Sequence, residues 1–449
     1  MTATAAALAR YPVRHYADGD FTTAEILAAA SGVRMPDHAP APGPARTALD
    51  ARLWRPDGAP VPEALAGHAL EPRAPAGPAA GPDEAEVALL RAFETAPLWT
   101  VPVGQSTAWL GPAAARAWLG LAAHWAVLAR QSGDLRFLNT SCKLLGAAWA
   151  RYREPAQVPA GLLAVAADAA QAVETASASI TRRLAGRAIP ASDPGQQHYR
   201  IQRPAVLAGA GEQAPAIVLL AAVGSETGRR LAAEAATAGV PVSRLCWYAA
   251  REDHPPGESA YAQAWYPPEA GAPARDWQVP PGTPQVTARD WDEAAAALRG
   301  ADLVILAGMP VVPAALLATA RIGVINAHNG ALPAYRGMDA VGWALLNGDP
   351  ATCTVHIARP AVDAGEVIAA LVVPPAPAGT LRSRVKDAQV ALLLDAAAFT
   401  TRHGRLPDAT PQRAGAGRHY YRLHPHLKRL LDASPYASAG NDSEGACAS

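Results

Sequence analysis

The feature that most constrains the fold is an alternation of short apolar runs and helical segments in the C-terminal half of the chain. The apolar runs, interpreted as strands, are 216–220, 240–247, 302–306 and 322–326, and the helical segments between them are 226–238, 290–299 and 313–320. Strands that are apolar on both faces must be covered on both faces. The pattern therefore predicts an α/β domain with a Rossmann-like, mostly parallel sheet and helices on both sides.

The N-terminal half predicts a different architecture. Apolar residues recur at helical spacing in four segments, which are 83–94, 107–131 (broken near Pro112), 134–152 and 161–187. We therefore expect an all-α domain before the α/β domain. The predicted domains are a partly ordered Pro/Ala/Gly-rich segment with one short helix at 1–82, a helical domain of unknown role at 83–189, a linker at 190–206, a catalytic domain at 207–405 and a C-terminal extension and tail at 406–449.

Charge and cysteine content exclude several classes of function. The chain has 39 basic and 39 acidic residues, so no excess positive charge favours nucleic acid or a membrane surface. Its four cysteines are far apart, which argues against a disulfide framework and a cysteine zinc site. The longest apolar run is far shorter than the roughly 20 residues that span a bilayer, and residues 1–10 lack a signal-peptide pattern. We expect a cytoplasmic protein without a metal.

The residues with the clearest chemical potential follow the last of these strands. Asn326 and His328 are two residues apart at a strand end, so their side chains leave the same face. An amide beside an imidazole can stabilise an oxyanion if both are held rigidly. Asp363 lies in a predicted tight turn before another strand, from which its carboxylate could orient the imidazole. On the residues alone, a structural role for Asn326 and a half-buried His328 is an equal alternative.

The sequence around these residues resembles the folate-dependent formyltransferases, which include methionyl-tRNA, glycinamide ribonucleotide and sugar N-formyltransferases. The positions that carry the resemblance are Asn326, His328, Leu332, Pro333, Tyr335, Arg336 and Gly337, followed by His356, Asp363 and Gly365. The resemblance covers about residues 207–405 and implies the formyltransferase fold. Two departures lie at Gly330, where the family usually has Ser, and at 351–354, which lacks the usual Gly.

The resemblance implies roles for individual residues. Asn326, His328 and Asp363 would be catalytic: the first two would stabilise the oxyanion of a tetrahedral intermediate, and Asp363 would set the charge of His328 and relay a proton. The formyl donor would be 10-formyltetrahydrofolate. Its pteridine would lie against the main chain of two segments, Pro310, Val311 and Val312 and then Ala361 and Val362. The candidates for acceptor contacts and loop geometry are Tyr335, Arg336, Gly337 and His356.

The acceptor is expected to be an amine on a small metabolite: a sugar nucleotide, an amino acid or a carrier-bound aminoacyl group. The segment after residue 405 is too short for the barrel appended to methionyl-tRNA formyltransferases, so we expect no nucleic-acid partner. The helical domain would recognise the acceptor or form a homodimer. A 10-formyltetrahydrofolate hydrolase and a non-catalytic binding protein are the alternatives. His419, His424 and His426 are interpreted as a solvated helix face or an interface.

Overall fold

The computed structural model describes residues 112–150, 160–185, 214–249, 277–374, 378–413 and 415–432, together with Val87 and Leu90. The chain forms two compact units. One comprises 1–186, 254–268 and 423–433, and the other comprises 187–253, 269–422 and 434–449. The predicted segment 1–82 and the predicted linker 190–206 lie outside the described residues.

The described residues of the first unit are mainly helical, as predicted. Its helices are α1 Pro112–Ser132, α2 Leu135–Ala150 and α3 Ala160–Ala185. Helix α1 begins at a proline, whose fixed φ and missing N–H suit the first helical position. Trp125 and Phe137 are fully buried and meet edge to face, with ring centroids 5.6 Å apart. Burial of such large aromatic side chains gives these helices a core of their own.

The second unit is built on a seven-stranded sheet of order β3-β2-β1-β4-β5-β7-β8. Its strands are β1 Ile217–Ala222, β2 Val242–Tyr248, β3 Gln285–Ala288, β4 Leu303–Ala307, β5 Gly323–His328, β7 Thr352–Ile357 and β8 Val367–Val372. Strands β1 to β5 are parallel, and β7 and β8 run antiparallel at one edge. The predicted mostly parallel sheet is confirmed.

Short helices and a second small sheet complete this unit. The helices are α4 Glu226–Glu234, α5 Trp291–Ala297, α6 Ala314–Leu317, α7 Ala340–Asn347 and α8 Ala378–His403. Two three-residue strands, β6 Tyr335–Gly337 and β9 Arg418–Tyr420, pair in parallel. Val218, Val304 and Val324 come from three neighbouring strands and are buried in one apolar cluster. This core fixes the carboxyl ends of β4 and β5, where the chemically active residues are predicted.

A last helix, α9 Pro425–Asp432, belongs to the helical unit. The Asn139 side-chain oxygen accepts a hydrogen bond from the His424 main-chain N–H at 2.6 Å, and Ser177 Oγ lies 2.8 Å from His426 Nε2. His424 is 1% exposed. Of the two alternatives for these histidines, the interface fits His424 and His426 and the solvated helix face does not, because both lie in the contact between α9 and its neighbours. Within the described part of the chain, no helix has the length and apolar character needed to cross a membrane.

The helical unit is expected to lose stability as the pH falls. Burial, only partly opposed by the charge of Glu174, lowers the pKa of His426 from 6.5 to about 4. The unfolded chain then binds more protons than the folded chain between these values, so folding weakens as the pH falls from about 6.5 towards 4. The thermal unfolding midpoint should drop over this range, and it should drop less in His426→Gln, whose side chain does not titrate. Identical pH dependence in both proteins would contradict the role given to His426.

Candidate active site

Four polar side chains meet where β5 pairs with β7. Asn326 and His328 lie on β5, His356 lies on β7 opposite Asn326, and Asp363 lies in the turn between β7 and β8. Asn326 Nδ2 is 3.4 Å from His356 Nε2, which is 3.5 Å from Asp363 Oδ1. Asp363 Oδ2 is in turn 3.3 Å from His328 Nδ1. The structure thus brings together the three residues predicted to be catalytic, and His356 links Asn326 to Asp363.

The Asp363 carboxylate is held in its ionised form. It is 10% exposed and accepts a hydrogen bond from the Gly337 N–H at 2.9 Å. Burial by itself would raise the pKa of Asp363. The hydrogen bond from His356, the charge of His328 and the Gly337 N–H outweigh burial and lower that pKa to about 2. A fixed negative charge therefore lies beside the two imidazoles at neutral pH.

The His328 ring lies between two hydrogen-bond acceptors. Its Nε2 is 2.5 Å from the Tyr335 carbonyl oxygen, and its Nδ1 faces Asp363. Burial lowers the pKa of His328, while the Asp363 charge and the Tyr335 carbonyl act in the opposite direction. A neutral imidazole has one N–H and can satisfy only one of these acceptors, whereas a protonated imidazole satisfies both. Burial prevails and the pKa of His328 is lowered, so the ring is held neutral, and the two acceptors are the groups that would stabilise a proton taken up from a reacting group.

The loop after β5 closes tightly over His328 because residue 330 is glycine. A Cβ at Gly330 would lie 2.8 Å from the Tyr335 carbonyl oxygen and 2.9 Å from His328 Nε2. The Thr354 hydroxyl donates to the Gly330 carbonyl at 2.7 Å and fixes the loop from the β7 side. This explains the departure at Gly330, since a serine would not fit without moving the loop.

The same region of sequence matches known proteins. Residues 257–397 match the model of a family described as formyl transferase. A methionyl-tRNA formyltransferase from Chlorobium chlorochromatii is 38% identical over 68 residues, which are 15% of this chain and 22% of that protein. Another from Synechococcus elongatus is 47% identical over 49 residues, 11% of this chain and 15% of that protein. This part of the chain is similar to the formyl transferase family.

The matches cover limited parts of the compared proteins. The chain spans less than a quarter of the length of these curated relatives. Among solved structures, glycinamide ribonucleotide transformylase 1 from Symbiobacterium toebii is 24% identical, with 48% of this chain and 96% of that chain covered and a TM-score of 0.33. We use "formyltransferase domain" below for the sheet-containing unit of this protein.

The residues predicted to contact the formyl donor lie on two loops of the formyltransferase domain. Val311, after β4, is 68% exposed, and Val362, next to Asp363, is 38% exposed. Pro310 and Ala361 are exposed as well. Val312 is 8% exposed and belongs to the apolar core, so it could contact a ligand only through its main chain. The two exposed valines give both loops apolar surface that suits a flat heteroaromatic ring.

The other residues predicted for acceptor contacts and loop geometry differ in their contacts. The Tyr335 ring is buried, stacks on Tyr420 and donates its hydroxyl proton to Asp349 at 2.5 Å, so it presents its carbonyl to the site. Gly337, at φ 92°, presents its N–H to Asp363. The Arg336 guanidinium donates to the side-chain oxygen of Gln412.

Two residues near the site were not predicted. Gln412 hydrogen-bonds to the turn that carries Asp363. His419, on β9, lies close to Gly337: a Cβ added at residue 337 would be 2.9 Å from His419 Nε2. Neither has a local sequence signal, because both depend on contacts between distant segments: His419 reaches the site through the pairing of β9 with β6, and Gln412 lies two residues after Thr410, which forms an isolated bridge with Val367. Among the described residues, no group of three or more His, Cys, Asp or Glu side chains could hold a metal ion.

Proposed function

We propose that the formyltransferase domain transfers a formyl group from 10-formyltetrahydrofolate to an amine of a small metabolite: a sugar nucleotide, an amino acid or a carrier-bound aminoacyl group. The observation that carries the proposal is the connected set Asn326, His356, Asp363 and His328 at the end of β5. It combines an amide donor, a fixed carboxylate and an imidazole that is flanked by two acceptors. The family match of residues 257–397 supports formyl transfer as the reaction class.

Each residue has a role that follows from its surroundings. The Asn326 amide can donate a hydrogen bond to a carbonyl oxygen that gains negative charge as an amine attacks. His328 Nε2 is bonded to the Tyr335 carbonyl, so His328 would stabilise that oxygen mainly through the charge of its protonated ring. His328 is neutral before the attack, because burial lowers its pKa, and it can take up the proton that the amine loses; the ring protonated in this way, supported by the Asp363 charge, then supplies the positive charge that faces the oxygen.

The donor would be held by the loops that carry Val311 and Val362 and by their main-chain groups. The exposed apolar side chains on both loops are the structural feature that fits a pteridine ring. When bound, the donor supplies an activated formyl carbon. The residues of the protein supply orientation, hydrogen bonds and the group that takes up the proton.

One alternative acceptor, methionyl-tRNA, has specific support. The curated relatives named above are methionyl-tRNA formyltransferases, so methionyl-tRNA must be tested beside small amines. The balance of 39 basic and 39 acidic residues favours the small acceptor, since binding of nucleic acid depends mainly on positive charge.

A product assay tests the proposal. The full-length protein is incubated with 10-formyltetrahydrofolate and a pool of amines that includes sugar nucleotides, amino acids, carrier-bound aminoacyl groups and methionyl-tRNA. We expect mass spectrometry to find one small acceptor that gains a single formyl group with the wild type but not with His328→Ala. Formate without a formylated acceptor would instead identify a hydrolase. Formylated methionyl-tRNA alone would overturn the small acceptor, and donor binding without any product would overturn catalysis.

A further inference from the structure

The Gln412 side chain forms four hydrogen bonds in the formyltransferase domain. Its Nε2 donates to the carbonyl oxygen of Asp363 at 2.8 Å and to that of Gly365 at 2.6 Å. Its Oε1 accepts from Arg336 Nε at 3.1 Å and from Arg336 Nη2 at 2.7 Å. A glutamine amide has two N–H donors and two lone pairs on its oxygen. All donors and acceptors of the Gln412 amide are therefore used, and both of its donors bind the turn that carries Asp363.

That turn needs support from outside itself. Asp363 has φ 51°, a left-handed conformation that is unfavourable for a residue with a side chain. Gly365 packs so tightly that a Cβ would lie 1.7 Å from the Ile357 carbonyl oxygen. Gln412 binds the main chain on both sides of Ala364 and so ties the strained residue to the tightly packed one. The conformation of this turn sets the direction of the Asp363 carboxylate.

Arg336 determines which way the Gln412 amide faces. With the amide reversed, its NH₂ group would face the donors of the guanidinium and its oxygen would face two carbonyl oxygens. Both contacts would be repulsive, so only the observed orientation satisfies all partners. Arg336 thus acts on the turn indirectly, through the Gln412 side chain.

We propose that Gln412 is a positioning residue of the formyl transfer proposed above, because it holds the Asp363 turn in the conformation in which the carboxylate meets His328. The carboxylate lies 3.3 Å from His328 Nδ1, 3.5 Å from His356 Nε2 and 2.9 Å from the Gly337 nitrogen. A small rotation of the turn would lengthen all three contacts together. The expected loss of kcat rests on the proposed function, whereas the expected displacement of the Asp363 carboxylate does not.

Two substitutions separate the contacts of Gln412. Gln412→Glu keeps an oxygen for Arg336 but places a carboxylate against the carbonyls of Asp363 and Gly365. Gln412→Met has a similar length and loses both sets of hydrogen bonds. Gln285→Glu is the matched control, because Gln285 is exposed on the edge strand β3 and uses only its side-chain oxygen, as acceptor from Trp247 Nε1.

Kinetics give the first measurement. Both Gln412 variants are expected to fold with a lowered thermal midpoint and to lose between about 10-fold and 100-fold in kcat, since small displacements of catalytic groups cost rates of this order. Gln285→Glu should retain the wild-type kcat. Wild-type kcat in both folded Gln412 variants would overturn the proposal.

Titration of His328 by NMR on histidine-labelled protein gives a second measurement that does not depend on turnover. The His328 signal is assigned by its absence in His328→Ala. In Gln412→Met the pKa of His328 should fall below the wild-type value, because the carboxylate that supports the protonated ring has moved. An unchanged titration would show that Gln412 does not hold the carboxylate and would overturn the proposal. If the wild type formylates nothing, the proposed function fails, while this titration still decides the role of Gln412.

Discussion

Replacing Asn326 or His328 with alanine is expected to lower kcat for formyl transfer by about 10²–10³ each, the usual cost of removing a donor that stabilises an oxyanion. Asn326 is only partly buried, and its amide is anchored by His356 alone among the contacts at the site, so the fold should survive its loss. His328 is buried, but it lies at a strand end, where the loop can adjust. Steady-state rates with the formylated acceptor as product, measured beside thermal unfolding, check this prediction.

The control for this experiment is Asn329→Ala. Asn329 is adjacent to His328 but exposed, so it reports the effect of changing the loop without touching the site. Its kcat should stay within a small factor of the wild-type value. Wild-type turnover in folded Asn326→Ala or His328→Ala protein would refute the role of the substituted residue.

The framework of the sheet was predictable because its strands carry their own signal. Leu303–Ala307 is buried at every position, and such strands appear in the sequence as continuous apolar runs. β3, by contrast, is a short edge strand with three exposed residues, and nothing in Gln285–Ala288 separates it from the loop before it. The sequence pattern that indicates a strand comes from its buried apolar residues, so the mostly exposed strand β3 was not predicted.

The site was predictable only in part, for a related reason. Asn326 and His328 share a strand, so their common face follows from the period of two along it. Asp363 depends on the left-handed turn and on the resemblance to a family. Gln412 and His419 lie beyond residue 405, where the catalytic domain was predicted to end. Gln412 follows the isolated bridge between Thr410 and Val367, and His419 reaches the site because β9 pairs with β6. That pairing joins distant segments of three residues each, which no local pattern specifies.

The two acceptors beside His328 show that predicting where a side chain lies does not predict its protonation. The sequence predicts that an imidazole is present, but its protonation depends on whether a carbonyl and a carboxylate face its two nitrogens. Those partners come from residues 335 and 363, on different elements. Prediction of the trio therefore did not include the proton-accepting environment of His328, which is what the proposed mechanism uses.

Replacing Asp363 with asparagine is expected to have the largest effect, a loss of about 10³-fold or more in kcat, comparable to the loss of the carboxylate that orients a catalytic histidine in a hydrolase triad. Asparagine has nearly the same shape, so the left-handed turn and the Gln412 hydrogen bonds should persist. The charge that favours protonated His328 disappears, and the asparagine NH₂ can face His328 Nδ1 or the Gly337 N–H with the wrong polarity. The amine would then lose its proton without a prepared acceptor.

The pH dependence distinguishes this explanation from simple misfolding. Asp363 has a pKa of about 2 in the folded protein, below the usual 3.8, so its contribution to stability is present above 3.8 and is lost as the pH falls towards 2. Asp363→Asn should lack that acid-dependent contribution, and its His328 pKa should lie below the wild-type value because the supporting charge is gone. Asp408→Asn, at a surface position that is 95% exposed, is the matched control and should change neither property. If Asp363→Asn retains wild-type kcat with an altered His328 titration, the carboxylate sets the charge of His328 without serving the reaction, and the proposed mechanism is wrong at this step.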